Sequence, residues 1–96
     1  MILQIVKFGE ILNSRPSGRE AALRAKQIIN GSDTAGEIIL DFSEVKVLTP
    51  SFADEFIEVL KNFYPDIEIK FEGFLDNPLI KDTLTSLGKL NPLSSI

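Results

Sequence analysis

EIILDFSEVKVLTPSFADEFIEVLKNF, residues 37–63, holds the order of elements that decides the fold. Ile38, Ile39 and Leu40 are consecutive aliphatic residues without polar alternation, the pattern of a strand covered on both faces or nearly so. Val45, Val47 and Leu48 add a second short apolar patch. Thr49-Pro50 then marks a helix start. Threonine caps the free backbone N–H groups, and proline stands at the first helical position, where its missing N–H costs nothing. Phe52, Phe56, Val59, Leu60 and Phe63 form the apolar stripe of that helix, while Asp54, Glu55, Glu58 and Lys61 mostly face water.

Working outward, Ile2 to Phe8 is rich in β-branched and aromatic residues and reads as a strand. Gly9 punctuates it, and Glu10-Ile11-Leu12 adds a short second strand in a hairpin. A loop from Asn13 leads into a helix whose Ser17 and Glu20 have the spacing of a capping box. Ala21, Ala22, Ala25, Ile28 and Ile29 share one face of it, and Asn30-Gly31 ends it with a glycine free to turn left-handed. Beyond Pro65-Asp66, the alternation of Ile67 to Phe71 reads as a half-exposed edge strand. Asn77-Pro78 opens a last helix carrying Leu79, Ile80, Leu84 and Leu87, closed near Gly88; residues 90–96 read as a loose tail. The order is β(β)αβαβα. It predicts an α/β domain over residues 1–96, with a mainly parallel sheet of about four strands, three helices and right-handed crossovers.

Composition narrows the chemistry. Ten basic residues stand against fourteen acidic ones, and the formal net charge of −4 argues against a nucleic-acid partner. The chain has no Cys and no His, so disulfides, thiolate nucleophiles and the commonest general base are excluded. Asp and Glu remain for acid–base work, yet no pair is placed in apolar surroundings that would tune it. The expectation is therefore a non-enzymatic protein with no catalytic residues, no cofactor and no metal. No apolar run approaches the roughly 20 residues of a membrane span and no signal peptide opens the sequence, so the expected setting is cytoplasmic, away from membranes.

Asp41-Phe42-Ser43-Glu44-Val45, followed by Thr49-Pro50-Ser51-Phe52, resembles the core motif of the STAS superfamily of sulfate-transporter and anti-sigma-factor-antagonist domains. There a strand ending in D-[LF]-S-x-[VL] leads to D-S-S-G at a helix start. Thr49 stands at the superfamily's Asp, Pro50 at its phospho-acceptor Ser, Ser51 at the second Ser and Phe52 at the Gly. The chain is more closely similar to an uncharacterised STAS-like family of bacteria and phages, through Ser14-Arg15-Pro16-Ser17-Gly18-Arg19 and through Asp41-Phe42 to Asp54-Glu55. This resemblance runs over residues 2 to 75. It implies a regulatory module that docks on another protein, such as an ATPase-fold kinase or signalling protein. It also implies a phosphorylation switch, and proline cannot accept phosphate, so the switch is either lost, the expected outcome, or moved to Thr49 or Ser51.

Two surfaces follow as candidates. The partner-binding surface is the start of the second helix: Thr49, Pro50, Ser51, Phe52, Asp54 and Glu55. Phe52, at the third helical position of an exposed end, is expected partly at the surface. The other is Arg15 and Arg19 beside Gly18, two guanidinium groups at a helix start that suit an anion. They support an alternative reading as a phosphate- or nucleotide-binding domain. The structural counter-expectation is an ion pair from Arg15 or Arg19 to Asp41, Glu44 or Asp54. Asp54, Glu55 and Glu58 are expected as a solvated face, with Glu58 pairing to Lys61, rather than as a cation site. Phe52, Phe56, Phe63, Phe71 and Phe74 lie at core spacing. The alternating strand from Ile67 to Phe71 offers an edge on which a second copy could pair into a homodimer.

Overall fold

A computed structural model describes residues 1–89; the expected loose tail at 90–96 lies outside the described residues. The strands are β1 (Ile2–Gln4), β2 (Ile11–Leu12), β3 (Glu37–Asp41), β4 (Val47–Leu48) and β5 (Glu68–Glu72), and the helices are α1 (Arg15–Asn30), α2 (Pro50–Phe63) and α3 (Pro78–Ser86). All strand pairing is parallel, in a three-stranded sheet ordered β1-β3-β5 and a two-stranded sheet of β2 and β4. This is the α/β fold the sequence predicts, in the predicted order and consistent with a STAS-like domain.

Alternation in β3 decides the layering. Ile38 and Leu40 are fully buried, and Leu3 of β1 lies beside Leu40 in register and is buried with them. Ile39 lies on the other face and is only half-buried, so the run of three aliphatic residues is covered fully on one face, not both. The helical side supplies Ala22, Ala25 and Ile29 of α1 and Phe56, Ile57 and Leu60 of α2 to a single core. Burying each large aliphatic or aromatic side chain there contributes about 1.5–3 kcal/mol relative to exposure. Phe63, expected in the stripe of α2, is instead exposed, and its ring receives the Lys26 ammonium 4.2 Å from its centroid.

Several local readings are corrected. The apolar run 2–8 is not one strand: after Gln4 the chain winds into a 3₁₀ turn, Ile5–Phe8, which buries Ile5 and sets Phe8 against Phe56 with ring centroids 5.8 Å apart. That turn, with Gly9 at φ 132°, carries β2 away from β1, so the hairpin does not form and β2 pairs with β4. The first helix starts earlier than its capping-box spacing suggests. Ser14 is the cap, its Oγ accepting the Ser17 N–H at 3.3 Å, so Ser17 sits inside the first turn. Gly31 closes α1 at φ −88°, without using the left-handed conformation that glycine allows. In α3, Ile80 and Leu84 are buried while Leu79 is exposed.

Candidate functional site

The turn before α2 is held by the residues of the strand-end motif. Asp41 Oδ1 accepts the Ser43 N–H at 2.9 Å and the Ser43 Oγ–H at 2.7 Å, which bends the chain off β3. Glu44 then adopts φ 69°, and the Val45 N–H closes onto the Phe42 carbonyl at 3.1 Å. Gly73, after β5, lies directly on this turn: a Cβ there would stand 2.7 Å from the Ser43 backbone nitrogen and closer still to Asp41 Oδ1. In this chain the Asp-Phe-Ser element is thus a backbone-shaping device that delivers the chain to β4 and to the start of α2.

Thr49 is fixed at that start from two sides. Its N–H donates to the Leu12 carbonyl of β2 at 3.0 Å, and its Oγ1 accepts the Phe52 N–H at 3.3 Å as the helix cap. Pro50 and Ser51 follow, exposed to solvent. Of the two hydroxyls named as modification candidates, Thr49 is therefore half-buried and engaged, whereas Ser51 stands free at the surface.

Phe52 is not at the surface. It is 3% exposed and stacks on Phe56 with ring planes 11° apart and centroids at 5.9 Å. The cause is Gly18, whose missing side chain lets α1 close on the backbone of α2. A Cβ at position 18 would stand 2.5 Å from the Phe52 carbonyl oxygen. With the two helix starts pressed together, the Phe52 side chain has only the core to enter. The sequence places Phe52 correctly at the third helical position, but nothing in its spacing shows that a second helix covers it.

The same closeness brings the arginines onto the acidic pair. Arg15 Nη1 donates to Asp54 Oδ2 at 2.8 Å and to Glu55 Oε1 at 3.5 Å, and Arg19 Nη1 lies 3.6 Å from Glu55 Oε2. The hydrogen bond to Asp54 is the main cause that raises the Arg15 pKa above its ordinary value. Of the expected ion-pair partners Asp54 is the one found; Glu55 joins it, and Asp41 and Glu44 take no part. Glu58 pairs with Lys89 at 3.2 Å rather than with Lys61. Arg15, Pro16, Arg19 and Glu55 surround a shallow recess of about 360 Å³.

A second concavity has a volume of about 220 Å³. Phe8, Leu12 and Phe52 line it together with Asn13, Glu20 and Arg24, and the Arg24 guanidinium lies 5.4 Å above the Phe8 ring. Its residues come from three segments that meet only on folding, so no spacing within the sequence announces it.

Parallel strands crossed by helices, and two helix starts locked into one ion-paired face, define a small α/β module of the STAS-like class. The chain belongs to the family described as "STAS-like domain of unknown function (DUF4325)", which matches residues 21–77, more than half of its length. The matched span takes in the strand-end motif and the whole of α2, while the Ser14–Arg19 element precedes it. No curated protein and no solved structure matches the chain. Among the described residues no helix is long and apolar enough to cross a membrane.

Proposed function

We propose that this chain is a non-enzymatic regulatory module that docks on another protein through the paired starts of α1 and α2. The observation that carries the reading is the construction of that face: the close approach of Gly18 to Phe52 fixes two helix ends relative to one another. Around that contact stand exposed Arg15, Pro16, Arg19, Pro50 and Ser51, with Asp54 and Glu55 half-exposed. A rigid face of mixed charge loses little conformational freedom on binding, and its charges favour one partner over another more than they add affinity. Phe52 belongs to the support of this face, and Thr49 to its frame; Pro50, Ser51, Asp54 and Glu55 are the residues that can touch a partner.

The competing reading, a phosphate or nucleotide held by Arg15 and Arg19, has less support. Both guanidinium groups already face carboxylates, and an incoming phosphate would have to displace Asp54 and Glu55 while approaching their negative charge. The test is affinity capture from the native host with the wild type and with Ser51→Arg, both shown to be folded by circular dichroism. A protein captured by the wild type and lost from the variant supports docking through this face. A protein retained equally by both overturns it. A melting temperature raised by nucleotide, and abolished in Arg15→Ala/Arg19→Ala, transfers the assignment to the ligand reading.

A further inference from the structure

We propose that β5 is a self-association edge, pairing antiparallel with β5 of a second copy in the register that sets Ile69 opposite Ile69. The backbone gives the first reason. The Glu68 N–H donates to the Gly36 carbonyl at 3.1 Å and the Glu72 carbonyl accepts the Phe42 N–H at 2.9 Å, so the even-numbered residues of β5 turn towards β3. Ile69 and Phe71 turn their N–H and C=O groups the other way, where the order β1-β3-β5 places no further strand among the described residues.

Burial gives the second. The two edges of the sheet differ: Leu3 on β1 is 1% exposed, whereas Ile69 and Phe71, on the same face of β5, are only half-buried. The core covers Leu3 on the β1 side completely and Ile69 and Phe71 of β5 only in part. A two-fold axis normal to the sheet would join the two sheets edge to edge with both helical layers on one face. Ile69 of each copy would then meet its twin, and Ile67 would meet Phe71 of the second copy.

Charge selects the register. Pairing centred on Ile69 sets Glu68 opposite Lys70 of the second copy and Lys70 opposite its Glu68, at non-hydrogen-bonded positions where facing side chains lie closest. Centring on Lys70 instead opposes Lys70 to itself and Glu68 to Glu72, like charge on like. Centring on Phe71 draws Gly73, at φ 78°, into the ladder, a left-handed backbone conformation that a strand does not hold. On the outer face Lys70 is paired at 3.0 Å with Glu37 of β3, a partner it would share with the carboxylate of the second copy. This inference is independent of the docking face at α2.

The test is the mass of the wild-type chain by sedimentation at rising concentration, up to about 1 mM. The expected result is a shift towards twice 10.7 kDa, lost in Lys70→Glu and regained in Glu68→Lys/Lys70→Glu. Amide exchange of the wild type gives a readout that needs no variant: the Ile69 and Phe71 amides slow as concentration rises. A monomer mass throughout, a dimer that survives Lys70→Glu unchanged, or exchange at Ile69 and Phe71 that ignores concentration each overturns the proposal. If Lys70→Glu does not fold, the exchange experiment decides.

Discussion

Gly18 of α1 lies so close to the Phe52 carbonyl of α2 that a methyl group at position 18 would stand 2.5 Å from the oxygen. That contact couples the two helix starts. It explains why Phe52 is buried and why Arg15 reaches Asp54.

Gly18→Ala therefore tests the face directly. The obstructing atom is backbone oxygen, which cannot rotate away as a side chain would, so the helices must separate. The expected loss is about 1–3 kcal/mol of unfolding free energy, the range of overpacked sites. Gly31→Ala is the control: its new Cβ would meet nothing nearer than 3.7 Å, and φ is −88°. It should be neutral or stabilise by up to about 1 kcal/mol through the unfolded chain. Urea unfolding of both variants reads the contrast; equal midpoints would refute the close-contact account.

Gly73 and Gly88 separate backbone strain from collision. Both have positive φ, 78° and 72°, so alanine is strained at either. Only at position 73 does a Cβ also strike Asp41 and Ser43, whereas at position 88 it meets nothing within 4 Å among the described residues. Gly73→Ala should accordingly lower the thermal midpoint clearly more than Gly88→Ala. It should also loosen the turn before β4, visible as faster amide exchange at Ser43 and Val45.

Thr49 and Ser51 are neighbours with different work. Removing the cap in Thr49→Ala should cost about 1 kcal/mol, because the Phe52 N–H loses its acceptor at a half-buried helix end. Ser51→Ala, at a solvated first-turn position, should change stability by no more than about 0.5 kcal/mol. A phosphate on Ser51 would meet the favourable end of the α2 dipole but stand close to Asp54 and Glu55. Intact mass measurement of protein from the native host decides whether either hydroxyl carries one. Thermal unfolding of the two alanine variants checks the division of roles.

Alkaline pH should weaken the fold. Tyr64 is held above its ordinary pKa of 10.0 by burial, and Lys70 is raised chiefly by its hydrogen bond to Glu37. In both cases the folded chain binds the proton more tightly than the unfolded chain. The stability they contribute is complete below their ordinary pKa values and is lost as pH rises through the folded ones. Unfolding midpoints should be level through neutral pH and fall above about 10, the ordinary tyrosine value. Tyr64 is the chain's one tyrosine, so its ultraviolet titration reads the shift directly; a midpoint at or below 10.0 would contradict the burial seen here.

Arg15→Ala should leave the fold intact. Its ion pairs to Asp54 and Glu55 lie in solvent, where Coulomb attraction is screened and two long side chains must be ordered to form it. A small loss that disappears at high salt is expected in urea unfolding, and a large one would show that Arg15 holds the fold together.

Local chemistry wrote a good part of this molecule into its sequence. Thr49-Pro50 fixed the start of α2, and Asn77-Pro78 that of α3, because a cap and a donor-free proline act within one turn of chain. The alternation of Ile67 to Phe71 announced an edge strand because side-chain direction in a strand has period two. The alternation of β and α segments implied parallel pairing, since a helix between two strands returns the chain to the end where it began. These signals also led to the STAS-like resemblance that the family match establishes over residues 21–77.

Other features came into being only when distant segments met. Ile11 and Val47 pair across α1 and β3, and no periodicity connects them; the hairpin that adjacency suggested gave way to the burial of Ile5 and the packing of Phe8 on Phe56. Ser14 rather than Ser17 caps α1. Two serines with similar local credentials compete, and the position where the chain leaves β2 selects the first. The burial of Phe52 and the pairing of Arg19 and Arg15 with Glu55 depend on how closely α1 approaches α2. That distance is set by the absence of a Cβ at Gly18, a property of one residue whose consequence appears only where another helix lies against it.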